Sequence, residues 1–390
     1  MMMTTDYKKA DSPTLGLYLH IPFCVRKCHY CDFYSAPTDP RMQARYVAAL
    51  VRDLIATAPK AHGYTVDTVY IGGGTPTLLS GESLALLLDT VRGHYTLASG
   101  AEITVECNPT TLTDGLFERL VTAGVNRLSI GLQSANDREL RALGRPHDFD
   151  AFVGTYRAAR AAGIKNINVD LMFGIPYQTR ETLQQTLDAV LCLAPEHISA
   201  YGLRVEEGTR FFAQRGSLPI ADDDTVADMQ EQIAAVLARA GYLHYEVSNY
   251  ARQGYRSRHN MRYWLGAPYL GFGPAAHSYF EGVRTAISPD TGAYISALEQ
   301  GNPPLVCERH EISAHEAREE YVMLRMRLLE GIDEADFLAR FGVEFEKTYG
   351  PLDKLLKGGL LSRVGGRIAF TERGMYVSNA ILSDWLDFER

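Results

Sequence analysis

Three cysteines, Cys24, Cys28 and Cys31, stand within one short segment of the chain. Their spacing, Cys-x3-Cys-x2-Cys, places three thiolates on a single loop, where each can bind a different iron of a cubane iron–sulfur cluster. The full complement of such a cluster is four cysteines, so one iron would keep an open coordination position. An open position distinguishes a reactive metal site from a closed structural one. The loop therefore predicts a [4Fe–4S] cluster with room for a small-molecule ligand.

A structural zinc site is the alternative interpretation of this loop. Zinc sites usually combine paired Cys-x2–4-Cys units into a set of four ligands. The other cysteines, Cys107, Cys192 and Cys307, are instead isolated from one another, in apolar neighbourhoods typical of small core residues. The spacing favours the iron–sulfur cluster, while a zinc-stabilised binding protein without redox chemistry stays open as a third functional class.

Composition indicates an ordinary globular protein with one large and one smaller domain. Of the 390 residues, 46% are hydrophobic and 22% are charged, and the net charge is −8. The negative charge argues against a nucleic-acid partner. The polar N-terminus lacks the apolar core of a signal peptide, and no stretch approaches the ~18 apolar residues of a membrane span. An oxygen-sensitive cluster also needs a reducing compartment, so we expect a cytoplasmic protein, for which peripheral membrane contact stays open.

Short apolar runs alternate with helical patterns through the first two-thirds of the chain. The predicted strands are 15–20, 66–71, 102–106, 127–131, 167–172 and 197–201, and the predicted helices are 45–56, 83–91, 114–123, 149–162 and 181–193. This alternation predicts an α/β fold with a parallel sheet covered by helices. Six βα units would form a partial (β/α)6 barrel, TIM-like and open on one side.

A polar or glycine-rich group stands at or just past the end of each predicted strand. These groups are Cys24, Gly72 to Thr75, Glu106, Gln133, Asp170 and Tyr201. Any one of them alone could be a helix cap or a loop residue. Because parallel α/β folds bind ligands at the carboxyl ends of their strands, six such groups on one rim predict a binding site there. A carboxylate such as Glu106 could accept hydrogen bonds from ribose hydroxyls or an ammonium group, and Arg145 could hold a carboxylate with its bidentate fork.

The rest of the chain divides into two parts after a first domain at 1–240. Segment 241–303 is dense in aromatic residues, glycine and histidine and has poor periodicity, so we expect a loop-rich bridge or lid against the open sheet. Segment 304–390 has predicted helices at 316–329, 332–341, 345–356 and 375–385 and a hairpin at 361–370. Helices followed by a hairpin indicate a small winged-helix-like domain. Its 12 Lys and Arg against 16 Asp and Glu favour a packing or partner-docking role over DNA binding.

The motifs resemble those of the radical S-adenosylmethionine (SAM) superfamily up to about residue 280. The matching segments are 18–24, 72–76, 106–109, 131–134, 170–176 and 245–250. In that superfamily the SAM amino and carboxylate groups chelate the open iron of the cluster. The resemblance also implies a set of SAM contacts at Tyr18, Tyr30, Gly74, Thr75, Glu106, Gln133, Arg145 and Asp170. No residue is assigned a catalytic role, since the chemistry belongs largely to the cofactors.

Within the superfamily, the chain is similar to the branch of oxygen-independent coproporphyrinogen III oxidases and HemW heme chaperones. The oxidases have a further cysteine where this chain has Phe33, and a longer extension than the 17 residues before Tyr18. The segment from His259 to Tyr263 matches the His-Asn-x-x-Tyr motif of HemW proteins, which is proposed to engage heme.

This resemblance implies a chaperone that carries a [4Fe–4S] cluster, SAM and heme, receives electrons from a donor and hands heme to respiratory proteins. The alternative is radical SAM oxidative decarboxylation of coproporphyrinogen III. His259 is the predicted heme-binding residue, because a neutral imidazole is a common axial ligand of heme iron. His244 and His277 are weaker candidates.

Overall fold

The computed structural model describes residues 13–111 and 113–387, and its frame is a twelve-stranded sheet. Six parallel strands lie at the centre in chain order: β1 (Thr14–Ile21), β2 (Thr65–Gly73), β3 (Leu97–Cys107), β4 (Arg127–Gln133), β5 (Asn166–Phe173) and β6 (His197–Gly202). The helices between them are α1 (Pro40–Thr57), α2 (Gly81–His94), α3 (Leu116–Thr122), α4 (Asp137–Leu143), α5 (Phe149–Ala161) and α6 (Arg180–Leu193). The predicted α/β fold, a partial barrel with a parallel sheet, is confirmed.

The strands alternate between an apolar outer face and a polar inner face. In β4, Leu128 and Ile130 join the large hydrophobic core between the sheet and its helices. Arg127 and Ser129, at the alternate positions, point to the inner face because successive strand side chains point to opposite sides. Apolar packing between the outer face of the sheet and its helices therefore stabilises the barrel. Polar side chains that can bind or react with a ligand line its interior.

Side-chain caps define where the covering helices begin. The Asp39 carboxylate accepts a hydrogen bond from the Met42 amide at the start of α1, and Asp148 does the same for Ala151 at the start of α5. Each cap satisfies an amide that has no partner within its helix. The cap of α1 therefore fixes where the loop that follows β1, which carries the three cysteines, ends.

Segment 241–303 extends the sheet, so the prediction of a loop-rich segment is wrong in its local structure. After α7 (Arg210–Ala213) and α8 (Asp223–Arg239), the chain forms β7 (Leu243–Glu246), β8 (Asn249–Ala251), α9 (Arg258–Trp264), β9 (Tyr269–Phe272), β10 (His277–Phe280), β11 (Val283–Ile287) and α10 (Thr291–Glu299). Strand β8 pairs antiparallel with β6, and β9 pairs parallel with β1. Strands of three to five residues are too short to show a clear period, and their partners lie far away in the sequence. Beyond the predicted boundary at 304, β12 (Val306–Glu311) also belongs to this sheet, because it pairs with β11.

The C-terminal region has its own hydrophobic core. Its elements are α11 (Ala314–Arg325), β13 (Ile332–Asp333), α12 (Glu334–Phe341), α13 (Phe345–Tyr349), α14 (Asp353–Lys357), β14 (Leu361–Val364), β15 (Arg367–Phe370), α15 (Glu372–Tyr376) and α16 (Ser378–Trp385). The predicted hairpin is present as β14 and β15, and Gly365 and Gly366 turn it with positive φ. The helix predicted at 345–356 is two helices, since Pro351 interrupts the backbone hydrogen bonds. Among the described residues, no helix combines the length and the apolar character that crossing a membrane requires.

Candidate functional site

A cavity of about 470 Å³ lies at the carboxyl ends of the parallel strands, between them and the cysteine loop. Most of the predicted site residues line it: Cys24, Cys28, Tyr30, Cys31, Gly74, Thr75, Glu106, Gln133, Arg145 and Asp170. Tyr18 and His259 do not line it. The structure thus brings residues from six separate segments to one place, which we call the cofactor cavity.

The three loop cysteines are partly exposed and form no disulfide. Among the described residues, no three His, Cys, Asp or Glu side chains converge closely enough to hold a single metal ion. The three thiols line the cofactor cavity, where each could bind a different iron of a cluster. Burial raises the pKa of the Cys31 thiol to about 11, so a bound metal would be needed to hold it as a thiolate at neutral pH.

Neighbouring groups hold the cysteine loop in place. The Cys24 amide donates to the Ala36 carbonyl at 3.3 Å, and the His29 amide donates to the Leu143 carbonyl at 3.0 Å. The His29 ring adds a hydrogen bond from Nδ1 to the Ala142 carbonyl at 3.0 Å. The loop is therefore tied to the segments on both sides of the cavity before any metal binds. Sequence reasoning did not identify His29, whose position between two cysteines was the available signal.

The glycine loop after β2 passes directly against the start of the cysteine loop. The Gly74 amide donates to the Ile21 carbonyl at 2.8 Å, and the Thr75 amide donates to the Phe23 carbonyl at 2.7 Å. A Cβ atom on Gly74 would lie 2.6 Å from the Phe23 carbonyl oxygen, closer than real Cβ atoms approach backbone. Gly73 has a φ of +109°, a conformation that favours glycine. The two loops can meet this closely only because these positions carry no side chain.

Glu106 presents a carboxylate to the cavity from the end of β3. Tyr70 donates to its Oε1 atom at 2.7 Å, and the Gly73 amide donates to its Oε2 atom at 3.0 Å. Burial raises the pKa of Glu106 to about 7, against the lowering effect of the Tyr70 hydrogen bond, and nearby Asp170 raises it further. Ionisation of the buried Glu106 carboxyl group is therefore unfavourable unless a cation lies nearby. An ammonium group that enters the cavity would favour the ionised carboxylate.

Asp170 is held by a hydrogen-bond network inside the barrel. Its two carboxylate oxygens accept from Ser129 Oγ at 2.9 Å and from Asn168 Nδ2 at 2.8 Å. The network continues from Asn168 Oδ1 to His197 Nδ1 at 2.6 Å and from His197 Nε2 to the Tyr245 hydroxyl at 2.8 Å. These hydrogen bonds fix the orientation of the Asp170 carboxylate, which can accept hydrogen bonds from hydroxyl groups of a ligand. Burial raises the pKa of Asp170.

Arg145 and Gln133 supply the polar wall opposite the glycine loop. Arg145 donates to the Gly131 carbonyl at 2.9 Å and to the Cys28 sulfur at 3.6 Å. Its buried Nε atom has no hydrogen-bond partner among the described residues, and it can therefore donate to a ligand carboxylate. Gln133 has a φ of +74° at a register shift between β4 and β5, which turns the chain at the cavity rim. The residues present therefore fit SAM chemically, with an acceptor for its amino group and a donor for its carboxylate.

Helix α9 packs under the cavity, at the amino-terminal ends of β1 to β3, and we call it the barrel floor. The first amides of α9, those of Arg258 and His259, both donate to the Glu102 carboxylate at 3.0 Å. The His259 ring is hydrogen-bonded through Nδ1 to Thr68 Oγ1 and through Nε2 to the Tyr263 hydroxyl, each at 2.9 Å. His259 is 1% exposed, and burial lowers its pKa to about 3. The predicted heme-binding residue is thus a neutral imidazole with both nitrogens engaged.

The remaining candidates are placed away from the cavity lining. The Tyr18 hydroxyl donates to His20 Nδ1 at 3.0 Å, and His20 Nε2 donates to the Tyr34 carbonyl at 3.1 Å. Tyr18 therefore orients a histidine beside the glycine loop. His244 stacks on Tyr250 with 4.2 Å between ring centroids, and His277 is exposed on β10.

Several interior residues were not predicted from the sequence as part of the site, namely His20, Tyr70, Arg127, Ser129 and His197. They share one signal, since each occupies an alternate position of a strand whose other positions are apolar. In β2, the inner-face positions are polar or small, namely Thr68, Tyr70 and Gly72. The alternate residues Val69 and Ile71 join the outer core. That alternation predicts the inner face, but only the fold shows which of its members meet.

The comparisons with known proteins agree with this architecture. The family profile of the radical SAM superfamily matches residues 18–190, and that of the HemN C-terminal domain matches residues 312–377. A heme chaperone HemW of Mycobacterium tuberculosis is 38% identical over 373 residues, which cover 94% of this chain and 93% of the relative. A heme chaperone HemW of Escherichia coli is 36% identical over 381 residues, which cover 96% and 98%. The solved coproporphyrinogen III oxidase HemN of Escherichia coli has the same fold, with a TM-score of 0.84 at 24% identity over 97% of this chain and 91% of that one.

Proposed function

Because the chain belongs to the HemW family of the radical SAM superfamily, we propose that it is a heme chaperone that binds a [4Fe–4S] cluster, SAM and heme. In this proposal it works in the cytoplasm, accepts electrons from a donor protein and delivers heme to respiratory proteins. The relatives over nearly its whole length carry the chaperone name, which supports this choice over the oxidase.

The single observation that carries the cofactor part is that the cysteine loop and all the predicted SAM residues except Tyr18 line one cavity. Cys24, Cys28 and Cys31 would hold the cluster, which supplies single electrons to SAM when both are bound. Glu106 would accept the SAM amino group and Arg145 would donate to its carboxylate. Gly74 lets the ligand approach the backbone, and the interior network holds the carboxylates in place.

We propose that heme binds outside the cofactor cavity. A volume of about 470 Å³ lies in the lower part of the range of about 300–1,000 Å³ found for small-molecule pockets, and a cluster with SAM would already fill it. His259 remains the proposed ligand, because burial keeps its imidazole neutral, as coordination to iron requires. Binding heme iron through one ring nitrogen would require the hydrogen bond at that nitrogen, to Thr68 or to Tyr263, to break, so the barrel floor would have to move.

Heme titration of the anaerobically reconstituted protein tests the proposal. We expect a heme absorption band that saturates, and at least tenfold weaker binding in His259→Ala, while His244→Ala and His277→Ala serve as matched controls that bind like the parent. His259→Gln, which can keep one of the ring's hydrogen bonds, separates loss of a ligand from loss of fold.

The same preparation should not turn over coproporphyrinogen III. Formation of protoporphyrinogen at an enzymatic rate would instead support the oxidase. Protein that contains zinc in place of iron would support the binding protein without redox chemistry.

A further inference from the structure

Arg127 lies in the barrel interior beneath the cofactor cavity and is 1% exposed. In the described part of the chain, its guanidinium makes no direct ion pair, and its Nε atom has no hydrogen-bond partner. Arg262, which is also buried, pairs directly with Asp67. A buried guanidinium with an unpaired donor is unfavourable unless opposite charge nearby compensates it.

The compensating charges belong to the cavity. Arg127 is in register with Thr104 of β3, two positions before Glu106, and with Asn166 of β5, four positions before Asp170. Even spacing along a strand keeps side chains on one face, so Arg127, Glu106 and Asp170 all point into the barrel. The positive charge of Arg127 lowers the pKa of both carboxyl groups against the effect of burial.

We propose that Arg127 is a positioning residue for SAM, because its buried charge favours the ionised forms of Glu106 and Asp170, which accept the ligand. The inference rests on the proposed SAM site. Arg127 itself does not line the cavity, so it acts through the two carboxylates.

Besides Arg145, which lines the cavity as a cation, the tyrosines and histidines that face this centre stay neutral near pH 7. They are Tyr18 of β1, Tyr70 of β2, His197 and Tyr201 of β6, Tyr245 of β7, and His259 and Tyr263 of α9. Burial raises the pKa of the tyrosines and lowers the pKa of the histidines. Two further carboxyl groups lie nearby, namely Glu102, which binds the first amides of α9, and Glu246 on β7. Arg127 is therefore one of the buried cations, with Arg145 of the cavity lining, that balance an interior rich in carboxyl groups.

Titration of the reconstituted full chain with SAM between pH 6 and pH 9 tests the inference. In the parent, we expect affinity to rise with pH through about 7 as Glu106 ionises. Arg127→Met should shift this midpoint upward by at least one pH unit and weaken SAM binding at least tenfold at pH 7, with the deficit shrinking toward pH 9. Arg127→Lys, which keeps the charge, should stay within about threefold of the parent. Arg160→Met is the matched control, because it removes an arginine paired with Glu196 outside the barrel interior.

A deficit of equal size at pH 7 and pH 9, or none at all, would overturn the inference. If Arg127→Met does not fold, the double variant with Glu106→Gln should regain stability in thermal unfolding, since it removes one anion together with the cation. A double variant that also fails to fold would assign Arg127 a packing role and overturn the inference as well. A parent that does not bind SAM contradicts the proposed function itself, whereas an unchanged Arg127→Met variant contradicts only the role of Arg127.

Discussion

Tyr70 donates a hydrogen bond of 2.7 Å to the Glu106 carboxylate, and its ring stacks on His259 of the barrel floor with 5.2 Å between centroids. One side chain thus contacts both the carboxylate of the cofactor cavity and the histidine proposed to bind heme. Tyr70 therefore lies between the proposed SAM site and the proposed heme site and contacts a residue of each. A change in the charge or position of Glu106 reaches His259 through a single residue.

Removing the Tyr70 hydroxyl should weaken SAM binding without removing the stack on His259. In Tyr70→Phe, Glu106 loses a donor that lowers its pKa, so a larger fraction is protonated at pH 7. We expect SAM affinity to fall about threefold to tenfold and the free energy of unfolding to fall by about 1 kcal/mol. Tyr95→Phe is the control, since its hydroxyl donates to the Leu54 carbonyl at 2.8 Å in the outer core. Equal SAM affinities in both variants would contradict the role of Tyr70.

Each cysteine of the loop should be necessary for the cluster. We expect Cys24→Ala, Cys28→Ala and Cys31→Ala to lose nearly all iron and acid-labile sulfide after anaerobic reconstitution, because the remaining two thiolates hold a cubane poorly. Cys192→Ala should keep the full content, since Cys192 is exposed on α6. Iron and sulfide analysis with the visible spectrum measures the outcome. Retention of a full cluster by any single loop variant would remove that cysteine from the ligand set.

A methyl group at Gly74 should disturb the cofactor cavity. The added Cβ in Gly74→Ala would lie 2.6 Å from the Phe23 carbonyl and 2.9 Å from the Ile21 carbonyl, so the backbone would have to move. We expect SAM affinity to fall at least tenfold and the free energy of unfolding to fall by about 1–3 kcal/mol. Gly100→Ala is the matched control, because nothing lies within 4 Å of its added Cβ. SAM titration and denaturant unfolding of the two variants give the comparison, and parent-like SAM binding by Gly74→Ala would refute the close approach.

Glu246 should make the stability of the protein depend on pH. This residue is 1% exposed, its Oε1 atom has no hydrogen-bond partner in the described part of the chain, and burial raises its pKa to about 7. The folded protein therefore binds a proton more tightly than the unfolded chain. The associated stability is fully present below pH 4.5, the ordinary carboxyl range, and is lost as pH rises through about 7.

The Glu246→Gln variant mimics the protonated form. Between pH 5 and pH 8, we expect the unfolding free energy of the parent to decrease by about 1–3 kcal/mol more than that of Glu246→Gln. Chemical denaturation at several pH values measures the slope. Glu344→Gln, at an exposed carboxylate paired with Lys347, should leave the slope unchanged. Parallel slopes for the parent and Glu246→Gln would show that Glu246 does not titrate in this range.

Much of the fold was visible in the sequence, because its signals are local. The apolar runs of β1 to β6 and the helices between them have the length and period of their elements, and the rim residues follow the strand ends directly. The turn of the C-terminal hairpin was equally readable from Gly365 and Gly366. Local pattern therefore predicted the barrel and the groups at its strand ends, such as Cys24, Glu106, Gln133 and Asp170, that line the cavity.

The parts that the sequence did not reveal depend on contacts between distant residues. Strands β7 to β11 gain their order from pairing with β6 and β1, which no local period records. His259 looked like a ligand in a loop, but Thr68, which is far from it in sequence, engages its ring in the barrel interior. Arg127 looked like an ordinary strand residue, and its importance comes from the carboxylates that the barrel places around it.

Electron paramagnetic resonance of the reduced, reconstituted protein tests the central claim most directly. The account predicts a [4Fe–4S] signal whose shape changes when SAM is added, with magnetic coupling from the labelled amino nitrogen and carboxylate oxygen of SAM to one iron. A cluster signal that SAM leaves unaltered, or purified protein that holds zinc and no iron under the same conditions, would contradict it.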